Sequence, residues 1–471
     1  MSDHITVGGA PEGFDARLVL KEIEARGGPV IHVARDDKRM AAMAAALAFF
    51  APDMPVIRFP GWDCLPYDRV SPNADISATR MATLATLVHG APRQFVLLTT
   101  LNAVTQRVPP REVLREAAFA AAKGERIDEK ALRDFLVRMG FSQAPTVTEP
   151  GDYALRGGII DIYPPGEAGP VRLDLFGDVL DGIRRFDPAT QRTTDTLDRI
   201  ELAPVSEVIL DEDAIRRFRQ NYRIEFGAAG TDDPLYEAVS AGRKHAGVEH
   251  WLPFFHERLD LVFDYLPEAA ITLDDRVAPA RAARWEAVTD QYEARQHALT
   301  QKSRGDTVYK PVPPGLLYLD EDAWQATLAD RRVLQFNVLP QATGPGGIDA
   351  GGRIGRSFAP ERQQENVNLF SVLKDHVEAR LAEGPVVIAS YSEGARERIE
   401  GLLDDEGLIG PVTIRSAKGL GKHGLHLAVW PLEQGFEGPD LTVISEQDVL
   451  GERLIRGAKR KRRAENFLTE A

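Results

Sequence analysis

The chain of 471 residues has a single cysteine, Cys64, so an intrachain disulfide and a cysteine-based zinc site are both excluded. Cys64 lies in Trp-Asp-Cys-Leu-Pro, with no basic neighbour in the sequence to lower its pKa, and reads as a structural thiol rather than a nucleophile. No run of about 18 apolar residues occurs, and the first eighteen residues contain no apolar signal region, so the expectation is a cytoplasmic protein. Basic charge is scarce as well. The net charge is −14, and residues 453–463 hold seven Lys/Arg and no Asp/Glu, which leaves −21 on the remainder. A body of that charge does not draw in nucleic acid by long-range attraction.

The sequence also lacks the signatures of nucleotide chemistry. A phosphate-binding loop needs Gly-x-x-x-x-Gly-Lys-Ser/Thr after a strand, so that backbone N–H groups can cradle phosphates. After the apolar strand at 30–34 the chain instead reads Arg35-Asp36-Asp37-Lys38-Arg39. Its two carboxylates would occupy the helix N-terminus and repel a phosphate. Val208-Ile209-Leu210-Asp211-Glu212 resembles a magnesium-holding strand end, yet with no phosphate loop Asp211 reads as a helix cap, as does Asp320 before Glu321-Asp322. Gly419-Leu420-Gly421-Lys422-His423-Gly424 fits Gly-x-Gly-x-x-Gly, but a strand pattern follows it where the dinucleotide fingerprint requires a helix. Gly344 to Gly355 reads as a loop. The ten histidines show no metal-ligand spacing, and no serine or cysteine sits in a catalytic arrangement. No catalytic residue, metal site or cofactor site is expected.

What is present is α/β periodicity over a length that suits about three or four domains. Strands at 30–34, 56–59 and 95–99 alternate with helices at 40–50 and 76–87, which implies a parallel sheet. Beyond Val108-Pro109-Pro110 comes a helix capped by Asp128. Short strands divided by turn residues follow to about residue 204, an α+β pattern. Leu261-Val262-Phe263 and Ala270-Ile271-Thr272-Leu273 read as further parallel strands, and 280–301 as a long helix, a return to the first domain. A further α/β unit is expected from Arg332, opening with a strand at 333–339.

Three segments carry a resemblance: Leu65-Pro66-Tyr67-Asp68-Arg69-Val70-Ser71-Pro72 with Ile76-Ser77-Ala78-Thr79-Arg80-Met81; Gly151-Asp152-Tyr153-Ala154-Leu155-Arg156-Gly157-Gly158-Ile159-Ile160-Asp161-Ile162; and Val443-Ile444-Ser445-Glu446-Gln447-Asp448-Val449-Leu450-Gly451-Glu452-Arg453. In this order and spacing the chain resembles the N-terminal part of the bacterial transcription-repair coupling factors. The resemblance implies a degenerate helicase-like (RecA-like) parallel-sheet domain, similar to that of the repair protein UvrB, in two parts at 1–111 and 205–329. It implies an inserted small α+β domain at 112–204 that docks on UvrA, a second α/β domain at 330–452 and a basic tail at 453–471. It further implies that the polymerase-binding, translocase and autoinhibitory domains of the family lie outside this chain. RNA polymerase and DNA would then be reached only through those domains, and the UvrA-docking face would stand uncovered. UvrB also has a tyrosine-rich hairpin that probes DNA; only nine residues separate Pro66 from Ile76, with Tyr67 the one tyrosine near them, which is too short for it.

The family's UvrA-contacting residues match Arg156, Arg172 and Phe176. In the strand expected at 171–176, Val171, Leu173 and Leu175 face one way, and Arg172, Asp174 and Phe176 the other. On the residues alone two readings stand: Phe176 beside Arg172 as an interface, or Phe176 tucked under the Gly177 turn with Arg172 paired to Asp174. Lys459, Arg460, Lys461, Arg462 and Arg463 are open to two readings too, a nucleic-acid contact or a solvated linking helix. The expectation is a non-catalytic adaptor that recruits UvrA. The rival readings are an ATP-dependent DNA translocase and a UvrB-like binder of damaged DNA.

Overall fold

A computed structural model describes residues 4–117, 119–227, 233–301, 309–408 and 410–451, and the chain folds as two compact units. The first is built on a seven-stranded sheet. Its order is Gly347–Asp349, His4–Gly8, Val333–Phe336, Ala270–Leu273, Val30–Ala34, Val96–Thr100 and Val56–Phe59, and every pairing is parallel. The three strands at 30–34, 96–100 and 270–273 are buried along their whole length, which is why they read as unbroken apolar runs rather than alternating ones. Ile31, Leu97, Leu84 and Ile271 belong to the core on one side of the sheet. Helix Ala74–His89 starts at Asn73, whose side chain accepts the Asp75 N–H.

Strand Ala270–Leu273 inserts between Val30–Ala34 and Val333–Phe336, so the chain does return to its first sheet after the α+β insertion. Three expectations need correction. Val333–Phe336 does not open a new unit; it pairs with His4–Gly8 and Ala270–Leu273, and the main segment of the second unit, which also takes in Pro11–Phe14 and Phe49–Ala51, begins at Gly351 rather than at 330. A buried strand announces itself by composition, but nothing in its sequence says which sheet it joins. Leu261-Val262-Phe263 is not a strand: Val262–Tyr265 is a helical turn, closed by the Leu261 N–H donating to Asp264 Oδ2 at 2.9 Å. Short apolar runs carry no period that separates the two forms. Gly344 to Gly355 is not all loop, since it holds the short strands Gly347–Asp349 and Arg353–Ile354.

The insertion carries a six-stranded sheet in the order Thr193–Leu197, Val179–Phe186, Val171–Phe176, Ile159–Ile162, Asp152–Arg156 and Ser142–Gln143. All its pairings are antiparallel except the last. Strand Phe119–Ala122 pairs separately with Arg199–Leu202. Helix Glu129–Arg138, capped by Asp128, contributes Leu132, Phe135 and Leu136 to a core shared with Tyr153, Ile160, Val171, Leu173 and Leu180.

The second unit is an α/β domain whose six-stranded sheet runs Arg353–Ile354, Phe436–Glu437, Thr442–Ser445, Val386–Ser390, Leu425–Val429 and Val412–Ile414. It is parallel from Thr442–Ser445 to Val412–Ile414 and antiparallel at the other edge. Leu373 and Val377 of helix Leu369–Leu381 and Ile399 of Glu393–Asp405 belong to its core. No described helix is long and apolar enough to cross a membrane.

Candidate protein-docking face

The inserted sheet has a covered face and an outer face. The two-residue turn Gly177-Asp178 joins its central strands, with Phe176 directly opposite Val179, and Gly177 sits at φ +66, where a Cβ would strain the backbone. Side chains then alternate. Val171 and Leu173 are fully buried and Leu175 half-buried, whereas Arg172 and Asp174 are half-buried on the outer face and Phe176 is 84% exposed. The pairing register puts Arg156 opposite Ile159 and Ile159 opposite Asp174, so Arg156 lies on the same outer face. The structure thus brings Arg156, Arg172 and Phe176 to one surface. Of the two readings open for this strand, the tucked one fails: Phe176 is not covered, and Arg172 is not bonded to Asp174.

Arg172 is held by a residue that sequence reasoning missed. Its Nε donates to Asp161 Oδ1 at 2.7 Å and its Nη2 to Asp161 Oδ2 at 2.9 Å. Asp161 is 1% exposed and stands directly across from Arg172 on the neighbouring strand. The guanidinium also lies 4.9 Å from the ring centre of Phe186, which forms a small outer-face cluster with Val147 and Ala154. The Asp161 hydrogen bond raises the arginine's pKa, so its charge is fixed. Arg156 is exposed, and its Nη2 donates to the Pro145 carbonyl at 2.5 Å. Asp174 is taken by Arg184, whose Nη2 lies 2.7 Å from Asp174 Oδ2. Nothing local in the sequence pointed to Asp161: aligning the two hairpins by their Gly turns would set residue 161 against 174, and the observed register, Asp161 opposite Arg172, is shifted by two.

The carboxyl end of the first sheet, where an α/β protein would hold a nucleotide, is filled by the chain's own side chains. Asp274 follows strand Ala270–Leu273 and accepts the Arg35 N–H at 3.2 Å, Arg39 Nε at 3.2 Å and Arg39 Nη2 at 3.0 Å. Arg39 Nη2 also reaches Asp15 Oδ2 at 2.6 Å. Arg39, Asp15 and Asp274 are all at most 2% exposed. Asp36 Oδ1 accepts the Arg39 N–H at 2.8 Å, so a carboxylate occupies the helix start where a phosphate would have to sit. Beneath them, His32 Nδ1 lies 2.9 Å from Thr272 Oγ1, and burial pushes its pKa down to about 4.

The other sequence candidates are structural. Asp211 Oδ1 accepts the Ala214 N–H and Asp320 Oδ1 the Ala323 N–H, capping helices Glu212–Phe226 and Glu321–Leu328. The glycines at 419–424 lead into strand Leu425–Val429. Burial pushes the Cys64 thiol up to about 12, which leaves it un-ionised at neutral pH. Tyr67 is fully buried, with its ring centre 5.7 Å from Tyr292 and 6.1 Å from Tyr318, and cannot probe a ligand. Lys459, Arg460, Lys461, Arg462 and Arg463 lie outside the described residues.

Comparison with known proteins agrees with this division. Residues 119–207 match the family model of the UvrB interaction domain, and residues 380–449 that of the MFD D3 domain. The chain is 32% identical to the transcription-repair-coupling factor of Escherichia coli K12, over 96% of this chain and 38% of the relative. It is 31% identical to that of Myxococcus xanthus over 93% of this chain and 38% of the relative, and 28% identical to that of Haemophilus influenzae over 99% and 40%. It therefore spans about two fifths of the length of the curated relatives it matches. The chain belongs to the transcription-repair-coupling factor family, of which it carries the UvrB interaction domain and the D3 domain.

Proposed function

We propose that this chain serves transcription-coupled nucleotide excision repair as a non-catalytic adaptor that recruits UvrA, and that Arg156, Arg172 and Phe176 make the contact. The carrying observation is Phe176, a large apolar side chain 84% exposed at the rim of a sheet face rich in arginine. An aromatic anchor on the same face as charge-assisted donors has the composition of a binding hot spot. The match of this sheet to the UvrB interaction domain supports the same reading. The ion cluster of Arg35, Arg39, Asp15 and Asp274 supports the absence of a nucleotide cofactor, because it occupies the edge where one would bind. With its single cysteine the segment suits the reducing cytoplasm. The basic residues at 459–463 are assigned to linking or to non-specific phosphate contact.

The test is capture of purified UvrA by the wild-type chain and by Phe176→Ala and Arg156→Ala. Both substitutions sit on exposed side chains and leave the core untouched. Reduced capture by either variant is expected; equal capture by wild type and both variants rejects this face. Preferential binding of damaged over undamaged DNA by the same protein would favour the UvrB-like reading instead.

A further inference from the structure

Two arginines face each other on the outer surface of the inserted sheet. Arg172 and Arg184 are direct cross-strand partners, which places like charges side by side, an arrangement that destabilises a sheet. The fold tolerates it by giving each its own acid: Arg172 turns to Asp161, and Arg184 to Asp174, with Nε 2.9 Å and Nη2 2.7 Å from the same Oδ2. A threonine or valine pair would satisfy the sheet without any acid. What the four charged groups supply that an apolar pair would not is a fixed array of donors. A guanidinium has five N–H groups. Among the described residues each arginine commits only Nε and Nη2, so three N–H groups remain on each.

The rest of the face fixes what such an array fits. Asp174 Oδ1 has no hydrogen-bond partner among the described residues, and across from Asp174 stands Gly182, which has no side chain to cover it; a Cβ there would come within 3.3 Å of Asp174 Oδ2. Ile159, the other neighbour of Asp174, is half-buried. Phe176 lies four residues along the strand from Arg172, about 13 Å at strand rise.

We propose that this is a recognition surface with a three-part pattern, and that Arg184 is a contact residue alongside Arg172. The partner it fits presents a row of carboxylate or carbonyl acceptors to the arginine pair, a donor to Asp174, and an apolar socket for Phe176 about 13 Å away. Each arginine is neutralised by its own acid, so the contact is directional rather than a bulk attraction of opposite charges. The proposal rests on the docking reading given above and specifies its chemistry.

The test measures the affinity of purified UvrA for the wild-type chain, Phe176→Ala, Arg184→Ala and Arg184→Gln, each checked by thermal melting. The Arg184–Asp174 pair is partly exposed, with side chains 44% and 23% accessible, so its loss is expected to leave melting close to wild type. Should Arg184→Ala melt early, Arg184→Gln, which keeps a neutral donor and most of the bulk, takes its place. Arg184 variants that weaken binding about tenfold, together with a Phe176→Ala variant that also weakens it, support the proposal. Arg184 variants that bind as wild type while Phe176→Ala does not would overturn the arginine pair and leave docking intact. Wild-type affinity for Phe176→Ala overturns the three-part pattern, and wild-type capture of both Phe176→Ala and Arg156→Ala overturns the docking reading with it.

Discussion

Arg172→Ala taken together with the double variant Asp161→Leu/Arg172→Leu separates what the outer-face arginine does for the fold from what it does for a partner. Both oxygens of Asp161 are bonded to Arg172, at 2.7 and 2.9 Å, and Asp161 is 1% exposed. Removing the guanidinium strands a buried carboxylate, a loss of about 3–5 kcal/mol. The contact with the Phe186 ring adds about 0.5–1 kcal/mol. In a domain of this size each kcal/mol shifts the midpoint by roughly 4–8 °C, so the insertion should melt at least about 10 °C lower. Arg172→Ala is therefore expected to reduce UvrA capture through the fold even if Arg172 makes no contact, and by itself it cannot assign Arg172 to the interface. The double variant Asp161→Leu/Arg172→Leu removes both charges beside the apolar Val147, Ala154 and Phe186 cluster, and replacement of a buried pair by apolar groups is often neutral. Scanning calorimetry should show most of the lost stability regained, while UvrA capture stays low. An Arg172→Ala variant that melts like wild type would refute the energetic role of the pair. A double variant that regained capture along with stability would show that Arg172 acts on the fold alone.

Three further outcomes follow from the same structure. Millimolar ATP with magnesium should leave the melting temperature of the wild-type chain unchanged, because a ligand stabilises only the state it binds; a clear upward shift would contradict the filled sheet edge. Tyr67→Phe should be close to neutral, since the Tyr67 hydroxyl has no hydrogen-bond partner among the described residues, whereas Tyr67→Ala should cost about 3–5 kcal/mol in chemical denaturation; equal stabilities would refute the packing role. Burial holds His32, His250 and His256 at about 4, so they are neutral in the folded chain and charge only on unfolding. The stability from this source is full above about pH 6.5 and falls as pH drops towards 4, by roughly 1.4 kcal/mol per pH unit for each histidine. Titration of these three imidazoles by NMR near 6.5 would contradict it.

The legible parts of the fold were those in which local chemistry decides the outcome. Caps at Asp128, Asp211 and Asp320 were readable because a carboxylate before a helix satisfies N–H groups only a few residues away. The alternation of Val171, Leu173 and Leu175 against Arg172, Asp174 and Phe176 was readable because a strand has a period of two. What escaped was pairing over distance. Val333 joins His4 and Ile271, and nothing local says so. Asp161 and Arg184 escaped for the same reason: each matters through the strand beside it, and register is set by turns that lie between them. The exposure of Phe176 was left undecided by sequence, because it depends on what the Gly177 turn packs against.

The filled sheet edge and the exposed docking face bear on each other. Arg35 and Arg39 are already engaged by Asp15, Asp36 and Asp274, so a phosphate brought to the cluster would stand beside three carboxylates, one of them, Asp36, at the helix N-terminus. Substituting glycines and a lysine into residues 35–39 would not recreate a phosphate site. Loss of Arg39 would leave Asp15 and Asp274 buried without its guanidinium, a cost of several kcal/mol against a domain stability of about 5–15 kcal/mol. The cluster therefore holds this sheet edge together with the chain's own charges, and the parallel sheet acts as a scaffold. Its buttress to the insertion is of the same kind: Arg80, fully buried, donates from Nε to Glu207 at 2.7 Å and from Nη1 to the Pro60 carbonyl at 2.8 Å, and so ties the chain leaving the insertion to helix Ala74–His89. A rigid attachment of this sort, with Arg172 and Arg184 each held by an acid, lowers the entropy lost when a sheet face docks. In this chain the ion pairs at the sheet edge and the Arg80–Glu207 tie both hold the scaffold from which the insertion projects.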